Sequence, residues 1–214
     1  MLKLWGRRSS MNVQKVMWLI GELGLPHEHI PAGGHFGRLD EPAFLALNPH
    51  GLVPVIQDGA VAVWESHAIL RYLAAKYAVG RFWSVDAAER SRVDRWMDWS
   101  QTTLQPAFLD GVFWAYFRTP PAQRNAALIE RNLRRCDEVF QRLDGLLERE
   151  PALAQPEPTL ADIPIAANFY RYFELDIQRP KLPHIEAWYA RLQQRPAYRQ
   201  HVMVSFEELR GRAD

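Results

Sequence analysis

The most informative segment of the chain is residues 48–66, which read NPHGLVPVIQDGAVAVWES. Residues 53–57 and 60–64 are apolar runs, and the Asp58-Gly59 pair between them is typical of a two-residue hairpin turn. A helix is expected to start near Ser66, a favourable N-cap residue. Its apolar side would carry Ile69, Leu70, Leu73 and Tyr77. The segment therefore predicts a β-hairpin followed directly by a helix.

The residues before this segment predict short strands that alternate with helices. Residues 2–5 form a strand that ends at Gly6, and residues 27–30 form a second strand. An amphipathic helix lies between them, and Gly24 is a plausible helix stop. Its apolar face carries Val13, Val16, Met17, Ile20 and Leu23. A glycine-rich loop at 32–40 and a short helix at 42–47 follow. This order of strands and helices, with the hairpin and its helix, predicts a small mixed sheet with helices on both faces.

Beyond residue 80 the pattern is helical. Residues 86–115 and 122–149 carry helical periodicity, and Pro120-Pro121 separates them. The TLAD sequence at 159–162 resembles a capping box, and it predicts a helix over 162–174 before another over 183–194. We therefore expect an α/β domain at 1–79, a linker at 80–85 and an all-helical bundle domain at 86–214.

Composition is ordinary for a globular protein: 214 residues, of which 48% are apolar and 24% are charged. The 26 Lys and Arg residues nearly balance the 25 Asp and Glu residues, which argues against nucleic acid or an anionic membrane as a partner. The chain has no signal-peptide pattern and no uncharged apolar run of about 18 residues. The expected location is the cytoplasm.

Cysteine and histidine usage argues against metal and disulfide chemistry. The single Cys136 cannot form an intramolecular disulfide or a CxxC pair, and its place on an apolar helical face predicts a buried, inert thiol. His67, His184 and His201 show no metal-ligand spacing, so no metal is predicted.

Two features of the 48–66 segment suit a peptide-like ligand with a zwitterionic end. A cis Val53-Pro54 bond would expose the Val53 backbone, which an extended ligand could pair with as one more strand; a trans bond at a strand start is the simpler alternative. A helix start at Ser66 would hold a carboxylate, and Glu65 would meet an ammonium beside it. The simpler alternative there is an N-cap serine next to a solvated glutamate.

Ser9, Ser10 and Asn12 lie between the first strand and the first helix, where capping residues are common. A helix N-terminus also lowers the pKa of a thiol held there, and a hydroxyl that donates to the sulfur stabilises the thiolate further. Ser10 in this role would stabilise the thiolate of a ligand and would not itself be a nucleophile.

Four motifs in this order resemble the glutathione transferase family over nearly the whole chain. They are SxNxxKV at 10–16, NPHGLVP at 48–54, WESxAILxYL at 64–73 and TLADI at 159–163. The resemblance implies a thioredoxin-like N-terminal domain with a four-stranded mixed sheet, an all-helical C-terminal domain, a cis Val53-Pro54 bond and a homodimer. Glutathione would be the co-substrate.

The same resemblance implies roles for individual residues. Glu65 and Ser66 would bind the γ-glutamyl group, and the Val53 backbone would pair with the cysteinyl unit. Ser10 falls where serine-type members, such as the theta and zeta classes, keep the activating hydroxyl, and Asn12 is the second candidate. Tyrosine-type and cysteine-type activation are disfavoured, because no tyrosine occurs in residues 1–71 and no cysteine lies near the site.

One position departs from the family pattern. Many members carry Lys or Arg where this chain has Leu52, and leucine cannot pair with the glycyl carboxylate of glutathione. His50, His35 or a backbone group would have to replace that contact; the alternative for both histidines is an ordinary loop position.

Aromatic residues are candidates for the second-substrate pocket: Trp5, Phe36, Phe108, Phe113, Trp114 and Phe117. Aromatic residues at helical spacing are more often core, although Phe113 and Trp114 point about 100° apart and cannot both face it. The leading function is conjugation of glutathione to an apolar electrophile. Reduction of peroxides or glutathione-bearing disulfides is the second hypothesis, and a non-catalytic binding protein is the third.

Overall fold

The computed structural model describes residues 1–150 and 152–212. The chain divides into two compact units, Met1–Val85 with Ala197–Val204, and Asp86–Pro196 with the described residues from Ser205 onward. The strands of the first unit are β1 (Leu2–Trp5), β2 (His27–Ile30), β3 (Val55–Asp58) and β4 (Val61–Trp64). Its helices include α1 (Met11–Leu23), α2 (Pro42–Leu45) and α3 (Ser66–Tyr77), and Gly34–Phe36 forms a 3₁₀ turn.

The four strands form one mixed sheet in the order β2-β1-β3-β4. β1 runs parallel to β2, with Leu2 opposite His27, and antiparallel to β3, with Trp5 opposite Val55. β3 and β4 form the expected hairpin. The predicted mixed four-stranded sheet is therefore confirmed, and the elements are those of a thioredoxin-like domain.

The hairpin turn lies one residue later than predicted. Asp58 pairs with Val61 as the last residue of β3, so the loop is Gly59-Ala60. Asp58 Oδ2 accepts hydrogen bonds from Tyr72 Oη at 3.0 Å, Lys76 Nζ at 2.7 Å and Tyr77 Oη at 2.6 Å. These three donors hold Asp58 at the end of the strand. Tyr77, predicted on the apolar side of α3, is instead exposed, and its hydroxyl donates to Asp58.

The turn between β1 and α1 depends on Gly6, whose φ is +150°. A Cβ at this position would overlap Cγ2 of Val13 and lie 3.3 Å from Cβ of Val53. Only glycine allows the turn to approach both side chains this closely. The start of α1 is thereby held next to the residue that precedes the cis proline.

Residues 197–204, which the sequence reading places in the second domain, pack with the first unit. Tyr198 lies edge-to-face on Trp18 of α1, with ring centroids 4.8 Å apart. His201 occupies the space beside Gly21, where a Cβ would come within 2.8 Å of the imidazole. Burial, with the positive charge of Arg8, lowers the pKa of His201 to about 4.

The second unit is helical over its described residues. Its elements are α4 (Ala87–Trp99), α5 (Gln105–Ala107), α6 (Ala126–Leu146), α7 (Asp162–Ala166), α8 (Phe169–Glu174) and α9 (Pro183–Leu192). Wider π-helical turns at Ser100–Leu104 and Phe108–Arg118 make α4 and α5 parts of one nearly continuous helix. A last helix, α10 (Pro196–His201), leads back to the first unit.

The predicted capping box is present in part. Asp162 Oδ2 accepts from the Thr159 backbone N–H at 2.7 Å, which is the expected return contact. The Thr159 hydroxyl lies 2.7 Å from the same oxygen and accepts from Ala161 N–H at 3.2 Å. The predicted helix over 162–174 was wrong as one element. It breaks after Ala166, where the Asn168 side chain donates to the Pro164 carbonyl at 2.9 Å.

Candidate functional site

Ser10 is the N-cap residue of α1, with an extended backbone at φ −75° and ψ 123°. Its carbonyl accepts from Gln14 N–H at 2.9 Å, but its side chain makes no capping hydrogen bond. Ser10 is partly exposed, whereas Ser9 is buried. The helix therefore leaves the Ser10 hydroxyl available to a ligand at its positive end.

The start of α3 is the second helix terminus of the site. Its N-cap is Glu65 and not the predicted Ser66, because Glu65 has the left-handed φ of +67° and its carbonyl accepts from Ile69 N–H at 2.9 Å. A positive φ is uncommon for a glutamate and marks a backbone that its surroundings hold in place. Ser66 is the first helical residue and is buried, whereas Glu65 is exposed. The first N–H groups of α3 have no partner within the helix, which suits an anion.

Polar side chains of α1 and α3 meet behind these two helix starts. Ser66 Oγ lies 3.5 Å from Asn12 Oδ1. Lys15 is only 1% exposed, and its Nζ lies 2.9 Å from the same Asn12 oxygen and 3.4 Å from His67 Nε2. Burial, with the positive charges of Lys15 and Arg71, lowers the pKa of His67 to about 2, so its imidazole is neutral.

Sequence reasoning singled out Asn12 and Ser66 but gave no role to Lys15 or His67. In the sequence, His67 has no metal-ligand spacing to another histidine, and Lys15 is one residue of the SxNxxKV motif at 10–16. The available signal was the three-residue spacing of Asn12 and Lys15, which places both on one side of α1. What the sequence could not show is that the side chain of Lys15 turns inward.

The Val53-Pro54 peptide bond is cis, as the family resemblance implies. Val53 is partly exposed and packs against the cluster of Ala32, Phe44 and Val55. The loop before it is held by the buried Asn48, whose amide donates to the Leu52 carbonyl at 2.8 Å and accepts from His50 N–H at 3.1 Å.

The residues considered for the glycyl carboxylate are on the surface. Leu52 is 60% exposed. His50 is exposed, and its ring lies edge-to-face with Trp64 at 4.9 Å. His35 is exposed in the 3₁₀ turn of the 32–40 loop, with its ring centroid 3.9 Å from that of Phe36. Their roles toward a ligand stay predictions.

The aromatic residues named for a second-substrate pocket have different positions. Phe108 and Phe113 are buried in the core of the helical unit. Trp114 is partly exposed beneath the guanidinium of Arg118 at 3.8 Å, and Trp5 lies edge-to-face with Phe44 at 6.0 Å. Phe117 stacks on Phe113 at 5.0 Å.

Phe117 also borders a cavity of about 270 Å³ in the second unit. Three other rings line this cavity: Tyr116, Tyr170 and Phe206. Whether any of these positions takes a second substrate stays a prediction.

Cys136 is buried, and burial raises the pKa of its thiol, so it is the inert side chain that the sequence predicts. Within 1–150 and 152–212, no cluster of three His, Cys, Asp or Glu side chains is arranged to hold a metal. Over the same residues, no helix combines the length and the apolar character needed to span a membrane.

A thioredoxin-like domain followed by an all-helical domain is a fold that known proteins share. Residues 1–75 match the family model for the N-terminal domain of glutathione S-transferase, and residues 104–196 match that for the C-terminal domain. The glutathione S-transferase GstB of Escherichia coli K12 is 40% identical over 206 residues, which cover 95% of this chain and 99% of that protein. Glutathione S-transferase 3 of Zea mays is 32% identical over 210 residues, which cover 94% of this chain and 93% of that protein.

Solved structures agree with these sequence matches. The theta class glutathione S-transferase from Xanthomonas axonopodis pv. citri, crystallised with glutathione bound, superposes with a TM-score of 0.88 at 46% identity. The match covers 96% of this chain and 98% of that one. The chain belongs to the glutathione S-transferase family.

Proposed function

We propose that this chain transfers the thiolate of glutathione to an electrophilic, largely apolar small molecule. Its family makes it a transferase with glutathione as co-substrate. The observation that carries the proposal for this chain is the meeting of two helix starts, with Ser66 Oγ 3.5 Å from Asn12 Oδ1. The contact joins the first turns of α1 and α3, which supports a shared ligand site for the Ser10 hydroxyl and the N–H groups at the start of α3.

The tripeptide is held by groups on three segments. The N–H groups at the start of α3 and the Ser66 hydroxyl bind the γ-glutamyl carboxylate, and the exposed Glu65 carboxylate binds its ammonium. The backbone of Val53 pairs with the cysteinyl unit as a strand would, because Val53 lies just outside β3. His50, His35 or a backbone group takes the glycyl carboxylate, because Leu52 cannot pair with it.

Ser10 lowers the pKa of the bound thiol. A free thiol has a pKa of about 8.5, so only a few per cent is ionised at neutral pH. A shift of about two units requires about 2.7 kcal/mol of stabilisation of the thiolate over the thiol. A hydroxyl that donates to the sulfur and the positive end of α1 together supply an effect of this size.

The reaction then forms one carbon–sulfur bond. The thiol proton leaves to solvent, the thiolate sulfur attacks the electrophilic carbon, and the leaving group departs with its electron pair. Neither Ser10 nor any cysteine of the chain becomes covalently attached. Holding the thiolate next to the electrophile supplies the remaining acceleration.

We further propose that the chain works as a homodimer in the cytoplasm, with domains at 1–79 and 86–214. Val61 and Trp64 are exposed on the edge strand β4, an arrangement that favours a partner surface. The single cysteine, Cys136, is a buried free thiol, which fits a reducing compartment. Sedimentation of the purified chain tests the dimer.

The activity is tested with glutathione and chlorodinitrobenzene, with Ser66→Ala as the comparison. We expect a rate that saturates with glutathione and an increase in the KM for glutathione of about tenfold in Ser66→Ala. A rate no higher than that without protein, across several apolar electrophiles, would contradict conjugation. Faster turnover of cumene hydroperoxide than of any electrophile would favour the reductase hypothesis instead.

A further inference from the structure

A buried ammonium lies directly behind the proposed glutathione site. Lys15 follows Asn12 by one helical turn, is almost fully buried, and approaches the Asn12 carbonyl oxygen to 2.9 Å. Burying a lysine in a small domain is costly unless acceptors surround the ammonium. Neither the family motif nor the proposed chemistry assigns this residue a role, so its position calls for an explanation.

The chemistry of the ammonium determines which way the Asn12 amide faces. A protonated lysine has three donors and no acceptor, so the amide atom next to it has to be the oxygen. Ser66 Oγ approaches the same oxygen at 3.5 Å. Because the oxygen faces Lys15, the amide nitrogen of Asn12 and its two N–H donors face away from Lys15. Asn12 is partly exposed, so a ligand can reach these donors.

His67 is a second neighbour of the Lys15 side chain. It is 8% exposed, and its Nε2 lies 3.4 Å from Lys15 Nζ. A neutral imidazole has one acceptor nitrogen, and the nitrogen facing an ammonium must be that acceptor, which places the proton on Nδ1. A protonated His67 would instead repel Lys15. The neutral ring therefore holds the ammonium against Asn12.

We propose that Lys15 is a positioning residue that holds the Asn12 amide in the orientation that donates a hydrogen bond to an anionic group of glutathione. The proposal rests on the proposed function, because it assigns a ligand to the outward N–H groups of Asn12. Lys15 acts through Asn12 and does not itself touch the tripeptide. This distinguishes positioning from a through-space attraction between the lysine and the ligand, which would not depend on Asn12.

A double-mutant cycle separates these two possibilities. We measure the Kd for glutathione and the thiolate absorbance of the bound tripeptide. The proteins compared are the wild type, Lys15→Met, Asn12→Ala and the double variant. We expect each single variant to weaken binding, or to lower the thiolate fraction at neutral pH, by about tenfold. The double variant should be no worse than Asn12→Ala, because Lys15 has nothing left to position.

A control variant guards against a purely structural effect. Met17→Ala removes a buried side chain from the same helix and is expected to lower Tm while leaving the thiolate absorbance of bound glutathione unchanged. If Lys15→Met does not fold, Lys15→Gln takes its place in the cycle, because its amide still donates to Asn12 without a charge. Near-wild-type binding by Lys15→Gln supports positioning by a hydrogen bond.

S-methylglutathione identifies the group that Asn12 contacts, since it keeps both carboxylates and has no thiolate. Equal losses for glutathione and its S-methyl form indicate a carboxylate, and a loss for glutathione alone indicates the sulfur; both support the proposal. Losses that multiply in the double variant, or a Lys15→Met variant that changes only Tm, would overturn it. A wild type that binds no glutathione would instead refute the proposed function, and the inference with it.

Discussion

Ser66 and Asn12 are 54 positions apart in sequence, and their side-chain oxygens lie 3.5 Å apart. The contact joins the first turns of α1 and α3, the two helices whose N-termini carry the candidate ligand-binding groups. Neither terminus has a capping hydrogen bond from the side chain of its N-cap residue. Together they offer two sets of unpaired N–H groups to one ligand that has more than one anionic group.

The Glu65 carboxylate is expected to recognise the α-ammonium of glutathione. Glu65→Gln should therefore raise the Kd for glutathione by about tenfold, the effect of losing one charge-assisted hydrogen bond. A glutathione analogue without the α-amino group is the matched ligand, and its Kd should differ little between Glu65→Gln and the wild type. Calorimetric titration of both ligands checks this. Equal losses for the two ligands would show that Glu65 acts on the backbone at φ +67° and not on the ammonium.

Gly6 is expected to tolerate no side chain. Gly6→Ala should reduce the free energy of unfolding by about 1–3 kcal/mol, because the new methyl overlaps Val13. Adding Val13→Ala should recover part of this loss. Gly24→Ala is the matched control: Gly24 also has a positive φ, but no atom lies within 4 Å of its Cβ position. Urea unfolding that finds no recovery in the double variant would contradict the overlap.

His67 should make the chain sensitive to acid. Its pKa is about 2 in the folded protein against 6.5 in the unfolded chain, so the unfolded state binds the additional proton below pH 6.5. Stability should fall as the pH decreases, with a contribution from His67 of up to about 1.4 kcal/mol per pH unit. His67→Gln should remove that contribution and give a shallower dependence in urea unfolding between pH 6.5 and 4.

His184 provides a comparison of the opposite sign. Hydrogen bonding to Asp144 raises the pKa of His184 above 6.5, so its contribution to stability is present at low pH and is lost as the pH rises. The deficit of His184→Gln relative to the wild type should therefore grow as the pH falls. If the difference in unfolding free energy from the wild type changed with pH in the same direction for His67→Gln and His184→Gln, the predicted effect of His67 would be contradicted.

Asp162 should be needed for the fold of the helical unit. Its two oxygens accept from the backbone N–H groups of Thr159 at 2.7 Å and Ala154 at 2.8 Å. Asp162→Asn places an NH₂ group against one of these donors and should reduce the free energy of unfolding by about 1–3 kcal/mol. Thr159→Val keeps the backbone donor and removes only the hydroxyl, so a smaller loss is expected. Equal losses in the two variants would show that the hydroxyl matters as much as the carboxylate.

The local elements of the first unit could be predicted because each carries its own signal. Two apolar runs separated by Asp58-Gly59 predict the hairpin, and Gly24 and Pro26 predict the end of α1. The errors lie where side chains from distant segments decide the outcome. The Asp58 cluster with Tyr72, Lys76 and Tyr77 shifts the hairpin turn by one residue, and no local pattern shows that these side chains meet.

The sequence predicts which residues form the candidate site but not which buried side chains pack behind them. Ser10, Asn12 and Ser66 stand at helix starts, which the sequence marks by capping residues. The inward direction of Lys15 depends on His67, 52 positions away, and on the burial that both residues share. The positive φ of Glu65 likewise has no local signature, since glutamate seldom adopts it.

Ser10 is proposed to stabilise the thiolate of bound glutathione, and the ultraviolet difference spectrum of the saturated protein at neutral pH detects that thiolate. We expect a thiolate band in the wild type and in Ser9→Ala. We expect loss of the band in Ser10→Ala with glutathione still bound, because the thiol pKa rises by about one to two units. An unchanged band in Ser10→Ala, or bound glutathione without a band in the wild type, would contradict it.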